Sequence, residues 1–220
     1  MAFILYGVSF SFKLQSIFIL PVIFFMYFKR KDFSLLNFVY TLIIFWASGI
    51  FGYINERDIL DVFRVYYGQI CESSDVIRST ATFWRLIGND PSLSLFALIF
   101  CLSVIGVGLY SFILSNKKET EYNYLLVTLW IIWTVLLFMP AMRQRYTYLV
   151  DLLLVIICYF NRKMLFITAV EIAISTITYG VFLFNVPQIN ALYSMINLLL
   201  YVYISKEYFS EFRAKGIENG

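Results

Sequence analysis

Apolar residues run in long blocks along this chain, and short polar clusters divide the blocks. Residues 1–12 are apolar from the start and stop at Lys13; residues 14–28 are apolar again and end at Lys29-Arg30-Lys31, with Pro21 expected to kink that block mid-span. Further apolar blocks occupy 33–54, 93–114, 122–138, 148–160, 164–184 and 189–204. A helix needs about 20 residues to cross a bilayer, so the pattern predicts an all-α, polytopic transmembrane helical bundle with about seven spans and a partial N-terminal helix at 1–12. No basic region precedes that first helix and no small-residue cleavage site follows it, so it does not read as a signal peptide. The chain is expected to begin inside a larger fold.

One long segment departs from this pattern. Residues 55–91 carry Glu56, Arg57, Asp58, Asp61, Arg64, Glu72, Asp75, Arg78, Arg85 and Asp90. Within it Ile59, Leu60, Phe63, Tyr66, Tyr67 and Ile70 recur at helical spacing opposite Asp58, Asp61 and Arg64, which describes an amphipathic helix lying at the membrane interface. Phe83, Trp84, Leu86 and Ile87 suggest a second, shorter one. Residues 1–205 thus read as a transmembrane helical domain and 206–220 as a charged tail.

Composition supports the membrane reading. Of 220 residues, 61% are hydrophobic and 14% charged, too few polar groups to cover a water-soluble globule. Tyr and Trp gather near block ends, where amphipathic rings favour the headgroup layer. A net charge of +3 with no basic-aromatic groove excludes a nucleic-acid surface. The absence of His removes the commonest metal ligand and neutral-pH base, and Cys71, Cys101 and Cys158 lack metal-site spacing, so neither metal nor cofactor is expected.

Charge placement suggests a topology. Lys29 to Lys31, Lys117 with Lys118, Arg162 with Lys163, and Lys206, Arg213 and Lys215 fall on alternate ends of the spans, which makes that side cytoplasmic, the C-terminus included. The 55–91 loop, the 139–147 hinge and the 185–190 turn then lie outside. The remaining basic residues are Lys13, Arg57, Arg64, Arg78, Arg85, Arg143 and Arg145, nearly all arginine, the residue that grips phosphate bidentately. Against a phosphate ligand stands the reading that they pair with Glu56, Asp58, Asp61, Glu72, Asp75 and Asp90.

The hinge concentrates the candidate chemistry. Pro140 turns Met139 away from helix and ends one span, leaving Arg143-Gln144-Arg145-Tyr146 at the membrane rim, the depth of a lipid-linked phosphate. In an extended connection Arg143 and Arg145 face one way, and in a helical one they splay; snorkelling arginines at a helix end are the competing reading. Asp151 lies one to two turns into the next span, placed to orient Arg145 or Tyr148. Glu171 lies well inside its span, ahead of Ser175, Thr176 and Thr178. Intramembrane carboxylates face the bundle interior or a cavity.

The run Phe138-Met-Pro-Ala-Met-Arg-Gln-Arg-Tyr-Thr-Tyr-Leu-Val-Asp resembles the "P-x-M-H-E-R-Y-x-Y-x-x-D" hinge of bacterial multi-span glycosyltransferases of the C-type fold, relatives of the protein mannosyltransferases. Ser9-Phe-Ser-Phe-Lys-Leu-Gln-Ser-Ile-Phe resembles their "L-S-F-K-x-Q-x-x-F-L-L-P", with Pro21 in register. Tyr66-Tyr-Gly-Gln69 and the run from Ser79 to Gly88 resemble their external-loop "Y-x-x-Q" and "N-x-x-N-x-W/Y-x-L" segments. The resemblance covers nearly the whole chain and corresponds to the C-terminal half of such an enzyme. It implies a polyprenyl-phosphate-linked sugar as donor on the outer face of a bacterial cytoplasmic membrane, with Arg143, Arg145, Tyr146 and Lys13 at the donor phosphate and Gln69, Trp84 and Arg85 in a substrate loop. The family's catalytic carboxylate sits in a first external loop ahead of Met1, so catalysis would require a separate N-terminal half or neighbouring subunit. Arg143 and Gln144 replace the family's His and Glu, and Ser79 and Thr82 stand where asparagine is usual. The alternative is a non-enzymatic polytopic protein, a transporter or polysaccharide-export subunit, with Asp151 and Glu171 lining a polar path.

Overall fold

The computed structural model describes residues 1–30, 33–71, 80–115, 120–184 and 191–212, and all regular structure among them is helical. They fall into two compact units, Met1–Ser74 and Asp75–Gly220. Lys31, Glu72, Asp75, Arg78, Ser79, Lys117, Lys118, the 185–190 turn, Arg213 and Lys215 lie outside the described residues, and so do the side chains of Arg30, Tyr66, Gln69, Ile70 and Cys71.

The first unit begins with α1 (Ala2–Phe12), the partial helix expected there. It packs on α3 (Phe38–Ala47) at very short range: a Cβ on Gly7 would stand 2.9 Å from Ile44 Cβ, and the Thr41 hydroxyl donates to the Phe3 carbonyl at 3.0 Å. Glycine is what permits that approach. Lys13 ends α1 in an extended conformation, its side chain exposed and its amide bonded to the Ser9 carbonyl. A 3₁₀ stretch, Leu14–Ile19, leads into α2 (Leu20–Arg30). Pro21 therefore occupies the first turn of α2, where its missing amide hydrogen costs nothing, and does not kink a continuous span.

The block at 33–54 also forms two shorter pieces, α3 and α4 (Ile50–Ile54). The break falls at Ser48-Gly49, where the Ser48 hydroxyl bonds back to the Phe45 carbonyl at 2.6 Å and competes with the helical ladder. The amphipathic helix is present as α5 (Asp61–Cys71). Arg64 bridges Asp58 at 2.7 Å and Asp61 at 3.2 Å across its polar side. The Leu60 amide and Arg64 together hold the Asp58 carboxyl below its ordinary value. For Arg64, pairing with carboxylates is the reading that holds.

The second unit is a bundle of α6 (Ser94–Leu114), α7 (Glu121–Phe138), α8 (Tyr148–Phe160), α9 (Leu165–Leu183) and α10 (Ala191–Glu211). Thr120 accepts from the Asn123 amide at 3.2 Å and caps α7, while Asp90 accepts from the Ser92 amide at 2.9 Å and caps the 3₁₀ turn Pro91–Leu93 that leads into α6. Helix α7 is the axis of the unit, nearly every residue from Leu126 to Phe138 being buried against α6, α8 and α10. Along one side Trp130 stacks on Tyr208 at 4.6 Å, while the Tyr208 hydroxyl donates to the Gly108 carbonyl of α6 at 2.7 Å. Gly108 is obligatory there, because a Cβ would overlap the Trp130 ring.

Among the described residues, three helical stretches are long and apolar enough to cross a membrane: Pro91–Leu114, Glu121–Phe138 and Arg162–Leu183. Leu95, Phe96, Ile99, Leu102 and Val107 of α6, with Phe166, Phe182 and Leu183 of α9, point outward and exposed. An apolar girdle on that scale is compatible with lipid as the surrounding solvent. About seven spans were expected. The helix at 148–160 has only 13 residues, and α10, though 21 residues long, carries Asn197, Lys206, Glu207 and Glu211. That helix also runs past the expected end at 204, burying Tyr208 and Phe212 within the stretch read as a tail.

Candidate functional site

The hinge between α7 and α8 is built by its own sequence and then fastened from outside. Met139 is extended, as its position before Pro140 dictates. Ala141 follows with φ 60°, the left-handed region that a Pro-X turn of type II demands and that glycine would occupy without strain. Holding alanine there costs about 1 kcal/mol or more, so the surroundings must impose the shape.

Those surroundings are residues 80–86. Trp84 inserts its indole, 1% exposed, among Ala97, Phe83, Leu93 and Phe100, and donates from Nε1 to the Phe138 carbonyl at 2.6 Å. It thereby satisfies an end carbonyl of α7, one of the groups every helix leaves unpaired. Four residues earlier, the Thr80 hydroxyl donates to the Met142 carbonyl at 3.0 Å. The strained Ala141 is thus bracketed by two hydrogen bonds from one loop. That loop is anchored in turn by Asn197 of α10, whose Nδ2 donates to the Ala81 carbonyl at 3.0 Å while its Oδ1 accepts from Trp133 Nε1 at 2.8 Å.

The clamp brings Arg85 to the hinge. Its Nε donates to the Thr80 carbonyl at 3.3 Å, one residue's length from the contact with Met142. Partial burial pulls the Arg85 guanidinium below its ordinary value, though arginine starts so high that it stays a cation at neutral pH. The hinge conformation is neither of the two simple cases. Arg143 is extended and half-buried; Gln144–Tyr146 then form a 3₁₀ turn in which Gln144 is buried and Arg145 exposed. Arg145 lies over the Tyr146 ring, its Cζ 5.5 Å from the centroid, a cation–π contact that limits its freedom. Among the described residues, no carboxylate lies within ion-pair distance of Arg143 or Arg145, whereas Arg64 is paired with Asp58 and Asp61.

Trp84, Arg85, Arg143, Arg145 and Tyr146 therefore share one corner of the second unit. Lys13 and Gln69 belong to the first unit, the latter on α5. Beneath the hinge, Asp151 and Glu171 occupy the interface of α8 and α9, together with Gln144, Thr147, Ser175 and Thr178. Glu171 is 1% exposed. Glu171 Oε2 and Asp151 Oδ1 lack a hydrogen-bond partner among the described residues. The roles of Thr80 and Asn197 were not anticipated; Asn197, a lone amide inside an apolar block, was the available signal. The described residues contain no cluster of three or more His, Cys, Asp or Glu suited to a metal. Comparison with protein-family models, curated proteins and solved structures gives no match to this chain.

Proposed function

We propose that the clamped hinge binds the phosphate of a polyprenyl-phosphate-linked sugar, and that the chain is the donor-binding, C-terminal portion of a membrane glycosyltransferase working on the extracytoplasmic face. The observation that carries the reading is the hydrogen-bonding of the loop that bears Arg85 to the turn that bears Arg143 and Arg145, at the end of a membrane-length helix, with no carboxylate beside the two hinge arginines among the described residues. A cationic corner at that depth suits an amphiphile with its tail in lipid and its phosphate at the rim. The resemblance of the hinge sequence to C-type-fold glycosyltransferases supplies the sugar and the reaction class. Seven crossings with the basic clusters inside would put this corner outside. In the reaction, the arginines would offset charge on the departing lipid phosphate, and the base would come from a partner half.

The test is binding of a polyprenyl monophosphate to purified protein in detergent, with the corresponding polyprenol as control. One charge-assisted hydrogen bond from a half-buried arginine is worth about 1.5 kcal/mol, so Arg143→Gln combined with Arg145→Gln should weaken phosphate binding at least about tenfold. Affinity for polyprenol should not change. Equal phosphate affinity in the double variant would refute the assignment.

A further inference from the structure

The interface of α8 and α9 holds two carboxylates, each with a buried oxygen that has no donor among the described residues. The Thr147 and Ser175 hydroxyl oxygens stand 2.7 Å apart, and the Cys158 sulfur meets the Thr168 hydroxyl at 3.0 Å, which sets the antiparallel register of the two helices. One turn inward from Thr147 and Ser175 that register places Asp151 opposite Glu171; one turn outward it places Gln144 opposite Thr178. Helices α8 and α9 pack directly on each other, so the two carboxylates face each other across their interface.

Either oxygen of the Thr147–Ser175 contact can be the donor, and the Gln144 carbonyl, 2.8 Å from the Thr147 hydroxyl, also accepts from the Thr147 amide at 3.2 Å. Whichever way these hydroxyls point, Asp151 Oδ1 has no donor among the described residues. Glu171, buried beside Asp151 with Oε2 unpartnered, adds a second acceptor and no donor of its own. Among the described residues of these helices no counter-ion is at hand: α7 carries only Glu121, α8 only Asp151, α9 only Glu171, and α10 only Lys206, Glu207 and Glu211 near its far end. Arg143 and Arg145 lie beyond Gln144 and pair with neither carboxylate.

We propose that Asp151 and Glu171 form an intramembrane proton-binding site holding one proton between them, beside the Thr147–Ser175 hydroxyl pair. The site is independent of what the hinge binds. It gives the bundle a means of sensing a proton in the helix interior, because gaining or losing that proton changes the charge buried between α8 and α9.

The experiment uses dicyclohexylcarbodiimide, an apolar reagent that adds to protonated carboxyls, on the detergent-purified full chain, read by intact mass and peptide mapping. One adduct is expected, on Asp151 or Glu171, with a rate that falls as pH rises. Asp151→Asn combined with Glu171→Gln should abolish it, and each single variant should move it to the remaining carboxyl or remove it. Two adducts, none, or one that survives the double variant would overturn the proposal. Suppression of the wild-type adduct by sodium chloride, but not by potassium chloride, would also overturn it by making the occupant a sodium ion. That comparison needs no variant to fold.

Discussion

Asn197 is the residue on which the geometry of the hinge most depends, although it touches no part of the hinge. Replacing it with leucine, close in volume, removes two hydrogen bonds at once: one from Trp133 Nε1 at 2.8 Å and one to the Ala81 carbonyl at 3.0 Å. Asn197 is 6% exposed and both partners are buried, so water cannot take its place. Interhelical hydrogen bonds in membranes average about 0.6 kcal/mol, which gives a floor near 1 kcal/mol for two. A buried group left unpaired costs about 1–3 kcal/mol, giving a ceiling near 6. A central value of about 3 kcal/mol corresponds to a melting temperature lowered by about 6–12 °C for a chain of this size. The loss should be local as well as global, because the 80–86 loop would lose its tie to α10 while keeping Thr80 and Trp84 on the hinge. Amide exchange in residues 80–88 should accelerate more than in α6, measured by mass spectrometry on detergent-solubilised protein. Trp133→Phe, which removes one bond and leaves the Ala81 contact, should show the smaller fall in melting temperature and little acceleration in the loop. An Asn197→Leu protein that melts with the wild type, or one whose loop exchange is unchanged, would refute the claim that α10 anchors the clamp.

Two further outcomes follow from packing and charge. Gly108→Ala should destabilise the second unit by about 1–3 kcal/mol, since its methyl meets the Trp130 ring and threatens the Tyr208 bond to the same residue's carbonyl; tryptophan fluorescence should shift with it. The Asp90 cap should depend on pH in one direction. The Ser92 amide holds the Asp90 carboxyl below its ordinary value, so its stabilising effect is complete above the unfolded carboxylate value and disappears as pH falls through the lower, folded one. Beyond the intrinsic pH dependence of exchange, the Ser92 amide should lose protection over that acidic window, and in Asp90→Ala that loss should be absent.

Much of the helical outline was legible because it depends on local composition. The apolar blocks at 93–114, 122–138 and 164–184 became α6, α7 and α9 nearly residue for residue, and Pro140 ended α7 where its chemistry requires. Boundaries failed where a local competitor acted. Ser48-Gly49 divided a block that was long enough to span, and Pro21 began a helix because a 3₁₀ turn preceded it. Neither effect registers in a count of apolar residues.

The hinge shows the same division within one site. Its residue types, the two arginines, the tyrosine and the turn-forming proline, are a local fact, and so is their place at the end of an apolar helix. Their arrangement is not. Thr80 reaches Met142 and Trp84 reaches Phe138 across more than fifty residues of chain, and that closure ties the loop carrying Arg85 to the hinge and brackets the strained Ala141. Asp151 and Glu171 likewise come opposite each other only once α8 and α9 adopt the register set by Thr147 and Ser175. Sequence alone determined which groups lie at the ends of apolar helices and which lie within them, because apolar length is a property of single helices. Tertiary structure decided which of them meet, because a buried polar atom takes its partner from whichever helix packing places beside it.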